Sequence, residues 1–252
     1  MNPPTDLSYP TLAHAPIVEG LIDIQIMPPL SEAALPALQR LHSNFPEYPL
    51  EGTKINVSGQ FLVSSTSATS VSQTIIGYQF GNSENTRVLQ VRLDGATASI
   101  LAPYTTFTDL ENDARRLWAI YRDAIGLAKI ARIAVRNINR IELPTSPFDF
   151  NEYILTTPEV APALPQALSA YSMRLMIPDN ASTSQAIVTQ IFEGVADAGH
   201  DALPLIFDID AFQVVELDAR SDEAWEIVQQ LRNFKNRIFF GSITDKLRRQ
   251  FE

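Results

Sequence analysis

Three stretches of this 252-residue chain place charged or polar side chains at even spacings, which on a strand means one shared face. Glu19, Asp23 and Gln25 form the first set, Arg132, Arg136 and Arg140 the second, and Asp208 with Asp210 the third. If these strands neighbour one another, guanidinium and carboxylate groups meet in charge-assisted pairs that can be bidentate. The plainest outcome is a solvated sheet face laced by cross-strand ion pairs, each contributing at most about 1 kcal/mol. A sharper one is a groove in which Arg136 and Arg140, left partly unpaired, hold an anionic ligand or a partner's carboxylate. A third uses Asp208 and Asp210, which point the same way, together with Glu19 to bind a divalent cation for hydrolysis. No further ligand stands at a recognisable metal-binding spacing, so neither a metal nor a cofactor is expected.

Other catalytic patterns are missing. His14, His42 and His200 are scattered, and His42 shares a helical face with Leu38 and Phe45. The chain has no Gly-x-Ser-x-Gly elbow, no phosphate loop and no Gly-x-Gly-x-x-Gly fingerprint. It has no cysteine, which excludes disulfides, thiolate metal sites and cysteine nucleophiles. Asn137 and Asn139 alternate onto the apolar side of the arginine-bearing strand, where buried amides need partners; they read first as structural pins. The candidate ligand-binding set is therefore Arg136, Arg140, Asn139, Glu19, Asp208 and Asp210.

A formal net charge of −10 argues against nucleic-acid binding through a broad basic face. Hydrophobic residues at 45% and charged residues at 19% are ordinary for a folded domain. No apolar run approaches the roughly 18 to 20 residues of a membrane span. Met1 to Tyr9 lacks the pattern of a secretory signal, so the expected compartment is the cytoplasm.

The elements that must position these residues follow from periodicity. Pro16 to Ile26 alternates as a strand and stops at Pro28-Pro29. Ser31 opens a helix with the stripe Leu35, Leu38, Leu41 and Phe45. The pattern is weak from Pro46 to Gly59, and Ser64 to Thr74 reads as a polar, mobile loop or strand edge. Thr74 to Phe80, Arg87 to Leu93 and Ala96 to Leu101 form a meander with a hairpin turn at Asp94-Gly95. A helix opened by a Thr108…Glu111 capping box runs to Gly126. The strand from Ile130 to Leu143 comes next. A short helix is expected at Phe148 to Ile154, then strands at Ala167 to Ile177, Ala186 to Glu193 and Leu203 to Leu217. A helix from Ser221 turns Trp225, Val228, Leu231, Phe234 and Ile238 inward, is interrupted at Phe239-Phe240-Gly241, and is followed by a last piece through Ile243, Leu247 and Phe251.

The expected fold is α+β: a mostly antiparallel sheet built from two similar halves, with helices packed on one face. Each half reads as a strand, a helical connection, a three-strand meander and a helix. The halves are residues 1–126 and 127–252, joined in one compact unit.

Four segments carry a resemblance. Pro16-Ile17-Val18-Glu19, Arg136-Asn137-Ile138-Asn139-Arg140-Ile141, Phe207-Asp208-Ile209-Asp210 and the C-terminal Ile243-Thr244-Asp245-Lys246 ending in Phe251 together resemble a sporadically distributed bacterial protein family of unknown function. That family has an aromatic residue where this chain has Asn137. The resemblance implies no activity, cofactor or catalytic residue; its patchy distribution implies an accessory role, such as in mobile defence or toxin-antitoxin systems. The leading expectation is a non-catalytic interaction module with a protein partner or a second copy of itself. The alternative is a binder of a small anionic ligand between the two halves, and the third a metal-dependent hydrolase.

Overall fold

A computed structural model describes residues 9–62, 68–126, 128–195 and 201–252, with backbone alone at 57–62 and 68–72. His200, residues 64–67 of the Ser/Thr-rich stretch and most of the Met1 to Tyr9 segment lie outside the described residues. The strands are β1 (Ile17–Met27), β2 (Leu50–Leu62), β3 (Ala68–Gly81), β4 (Arg87–Arg92), β5 (Gly95–Leu101), β6 (Lys129–Pro144), β7 (Tyr171–Pro178), β8 (Gln185–Phe192) and β9 (Ala202–Asp218). They form one antiparallel sheet in the order β2-β3-β4-β5-β1-β6-β9-β8-β7.

Outward from the β1–β6 seam the strands run in reverse chain order on both sides, four beyond β1 and three beyond β6 among the described residues, so the first half's meander has one strand more than expected. Each half's first strand borders the seam, and its meander runs outward from its last strand to its first. β1 pairs with β6 from Ile17↔Asn139 to Met27↔Lys129, so the sheet passes unbroken from one half to the other. The tight turn after β4 brings Gly95 (φ +155°) against β1, where a β-carbon would stand 2.2 Å from the Ile24 carbonyl oxygen. Only glycine fits that approach.

Among the described residues four α-helices complete the fold: α1 (Leu35–Arg40), α2 (Phe107–Ile125), α3 (Glu223–Ser242) and α4 (Asp245–Arg248). α1 packs on β3 and β4, α2 on β5 and β1, and α3 on β9 and β6. Period-2 alternation turns Ile22, Ile24 and Ile26 of β1, Ile133, Val135 and Ile141 of β6, and Leu205, Phe207 and Ile209 of β9 toward them, all buried. α2 and α3 lie antiparallel: Arg115 stacks on Trp225, Glu111 accepts from Gln229, and Arg232 stacks on Phe107.

Several expectations are corrected. The weakly patterned Pro46 to Gly59 region holds most of β2, because pairing along β3 satisfies one side of its backbone whatever its side chains. For the same reason Ala68 to Thr74 belongs to β3. The α2 cap is Thr106, whose hydroxyl accepts from the Asp109 amide at 3.1 Å, two residues before the expected one. α3 runs unbroken through Phe239-Phe240-Gly241, since Phe239 is buried on the sheet and one glycine costs only about 1 kcal/mol. At Phe148 to Ile154 the chain makes only a 3-10 turn, Phe150–Glu152, and Ile154 bridges to Ile243.

Candidate functional site

The predicted charged rows do come together, on the sheet face opposite the described helices. Asp23 is the hub. Its Oδ1 accepts from Arg92 Nη2 at 2.8 Å and from the Thr97 hydroxyl at 2.6 Å; its Oδ2 accepts from Gln25 at 3.0 Å and Arg132 Nη1 at 3.5 Å. Arg132 reaches on to Asp210 Oδ2 at 2.7 Å, with its guanidinium 4.6 Å above the Phe212 ring. Both Asp23 and Phe212 are register partners of Ala134, so the guanidinium spans the space that this small residue leaves. Arg136 grips Asp208 with two hydrogen bonds, at 2.7 and 2.6 Å.

This seam is drier than a surface ion pair. The Arg92 and Asp23 side chains are 12% and 11% exposed. Asp208, hydrogen-bonded and opposite in charge, holds the Arg136 guanidinium above its ordinary range, although burial opposes it. Burial raises the Asp210 carboxyl, against the pull of Arg132 and Arg136.

The candidate residues thus divide. Arg136, Asp208 and Asp210 are committed to the seam, and Arg140 bonds Glu142 on its own strand at 2.6 Å. Glu19 sits in the row Glu19, Ile138, Asp208, within electrostatic reach of Arg136. Asn139 faces the opposite side of the sheet. Asp208 and Asp210 share a face as expected but each is engaged by an arginine, and among the described residues no three His, Asp or Glu side chains stand together as a metal site. No helix among them is long and apolar enough to cross a membrane.

The helix-covered face holds the space that the seam lacks. α3 continues past the N-terminus of α2, and the Tyr9 to Ile17 segment passes alongside, with Tyr9 stacked on Phe240 at 4.9 Å. Between them lies a cavity of about 340 Å³ over the β1–β6 seam. Asn137, Asn139 and Ile209 border it from the sheet, Arg232, Lys235, Asn236 and Phe239 from α3, and Tyr104 to Thr108 from the start of α2. Asn139, 2% exposed, donates to the Phe207 carbonyl at 2.9 Å, which pins it as the sequence suggested.

Lys235 is the unusual group here. It is only 6% exposed and has no carboxylate partner among the described residues. Its Nζ donates to Asn236 Oδ1 at 2.9 Å. Hydrogen-bond complementarity orients the Asn137 amide so that its oxygen accepts from Nζ at 2.9 Å and its nitrogen donates to the Arg136 carbonyl at 2.9 Å. Burial first, and the nearby Arg232 charge second, push the Lys235 amine down to about 7. Arg232 itself makes no hydrogen bond or ion pair with a described residue and rests 4.5 Å above the Phe107 ring. Burial lifts the Tyr104 hydroxyl to about 12, so it stays protonated at neutral pH.

The chain matches no protein-family model and no curated protein.

Lys235 and Arg232 lie on a helix, outside the alternating strand rows that mark candidate residues in the sequence. A signal was present: Lys235 lies four residues after Leu231 and three before Ile238, inside the apolar stripe of α3. A lysine at such a position must either reach water or find an unusual partner.

Proposed function

We propose that the protein binds a small anionic ligand in the cavity between the two halves, on the helix-covered face of the sheet. One observation carries this reading: Lys235 and Arg232, two basic side chains without a carboxylate partner among the described residues, border the same cavity. Burying a cation without a counter-ion is costly, and an anion entering the cavity offsets that cost. The first turn of the 19-residue α2 adds its amides and the positive end of its dipole at the same rim. Around the charges, Phe107, Phe239 and Tyr104 supply apolar wall, the usual balance of a small-molecule site.

The segments that carry the family resemblance converge here. Pro16 and Ile17, Asn137 and Asn139, and Ile209 border the cavity, and Phe251 packs against Phe239 behind it. Kinship with that family of unknown function, and descent of the two halves from one repeat, belong to this same reading. The ligand's anchor shifts from Arg136 and Arg140, spent on the seam face, to Arg232 and Lys235.

Thermal denaturation with acetate, inorganic phosphate and short dicarboxylates tests it. A bound anion at 100 times its dissociation constant adds about 2.7 kcal/mol, and Arg232→Gln abolishes the gain. Unchanged stability with every anion removes the reading.

A second reading, self-association, is favoured by the sheet face opposite the described helices, where Val214, Met176 and Ile191 are 71%, 56% and 38% exposed. Light scattering decides it: a strict monomer at high concentration ends that reading.

A further inference from the structure

The cavity presents its amine in an arrangement that a simple counter-ion does not require. An ammonium carries three N–H bonds, whereas a neutral amine carries two and a lone pair. Around Lys235 the protein supplies two acceptors, Asn236 Oδ1 and Asn137 Oδ1, each at 2.9 Å. They satisfy both hydrogens of the neutral amine and leave its lone pair uncommitted. The third N–H of an ammonium would meet no acceptor among the described residues. The other three lysines of the chain, Lys54, Lys129 and Lys246, are placed differently: Lys129 pairs with Glu216 and Lys246 with Glu152, both at the exposed surface.

We propose that Lys235 captures the carbonyl carbon of a small aldehyde acid or 2-oxo acid as an imine, while Arg232 holds the ligand's carboxylate. This deepens the anion-binding reading and rests on it. The lone pair of Nζ adds to the carbonyl carbon, and the carbonyl oxygen takes up a proton. The carbinolamine then loses its hydroxyl as water while nitrogen gives up hydrogen, leaving a carbon–nitrogen double bond. Amine and carbonyl become imine and water, with no oxidant or reductant consumed. Burial and the Arg232 charge keep a large share of the amine neutral near pH 7, which is the activation a nucleophilic lysine needs. Arg232, one turn earlier on the same helix, supplies the charge that orients an acid-bearing carbonyl compound.

The full chain is incubated at neutral pH with glyoxylate and cyanoborohydride, and the carboxymethylated lysines are mapped by mass spectrometry. Lys235 is expected to be modified on the order of 100-fold faster than Lys54, Lys129 or Lys246, because an ordinary lysine is almost wholly protonated at that pH. Arg232→Gln should slow that capture selectively, and Lys235→Met should leave only the slow background. Acetate, which cannot form an imine, serves as the companion probe. If acetate stabilises the protein through Arg232 while glyoxylate modifies Lys235 no faster than the surface lysines, imine capture is overturned and anion binding stands. If acetate has no effect and uncharged acetaldehyde is captured as well as glyoxylate, the carboxylate-holding half of the proposal is overturned. Equal modification of all four lysines with no acetate effect removes both.

Discussion

The ring of Tyr104 rests where a side chain on Gly20 would have to stand: a β-carbon there would lie 2.5 Å from Tyr104 Cε2. β1 therefore presents bare backbone beneath the cavity, and Tyr104 settles onto it as one wall. Gly20→Val is expected to push that ring away, costing about 1 to 3 kcal/mol as overpacking does. The same change should abolish stabilisation by added anions. Urea denaturation with and without acetate measures both; a variant that keeps the full anion effect would show that the ring does not shape the site.

Asp23 has a different weight from the other carboxylates of the seam. It gathers Arg92, Arg132, Thr97 and Gln25 in a position where its side chain is 11% exposed. Removing it leaves Arg92 with Asp94 alone, at 2.9 Å, and Arg132 with Asp210 alone, at 2.7 Å, in a partly dry place. Asp23→Ala should cost about 3 kcal/mol. Arg136→Ala, at a side chain 38% exposed to screening solvent, should cost about 1 kcal/mol. Equal losses in equilibrium unfolding would contradict the hub.

These two sites differ in how far the sequence reveals them. Alternation alone places Arg132, Arg136, Asp208 and Asp210 on one sheet face, and the seam forms there. Arg92 is not legible as a partner because its meeting with Asp23 depends on β5 lying between β4 and β1, and local patterns do not state strand order. β2 stayed hidden because its edge position asks little of its side chains. The cavity was illegible for a third reason: it exists only where α3 outruns α2, a matter of relative placement. Lys235 alone marked it, as a cation inside an apolar stripe.

The two halves are tied by more than the sheet. Trp118 of α2, buried at 2% exposure, donates from Nε1 to the Ala219 carbonyl in the turn before α3, at 2.9 Å. A buried carbonyl deprived of its donor costs about 1 to 3 kcal/mol. Trp118→Phe should lower stability by about that amount and slightly more for lost volume, while unfolding remains a single transition. Two resolved transitions in calorimetry would mean that the halves unfold separately.

Lys235 makes stability depend on pH in a direction opposite to that of a salt-bridged lysine. Its amine falls from the ordinary 10.5 to about 7 in the folded protein, through burial and then the charge of Arg232. Between those values the unfolded chain binds a proton that the folded chain does not, so stability rises with pH across the window. Below pH 7 both states are protonated and the cost of the buried charge is present in full. The slope from this one group cannot exceed about 1.4 kcal/mol per pH unit. Around it, α3 contributes Arg232, the segment before α2 contributes Tyr104, whose hydroxyl stays protonated up to about 12, and β6 contributes only the amides of Asn137 and Asn139. Lys235→Met removes the titration and relieves the buried charge, so its stability below pH 7 should equal or exceed that of the unsubstituted protein. An anion in the cavity should pull the amine back up and be bound with proton uptake near neutral pH. Calorimetric titration in buffers of different ionisation heat detects that proton, and a binding heat independent of the buffer would place the anion away from Lys235.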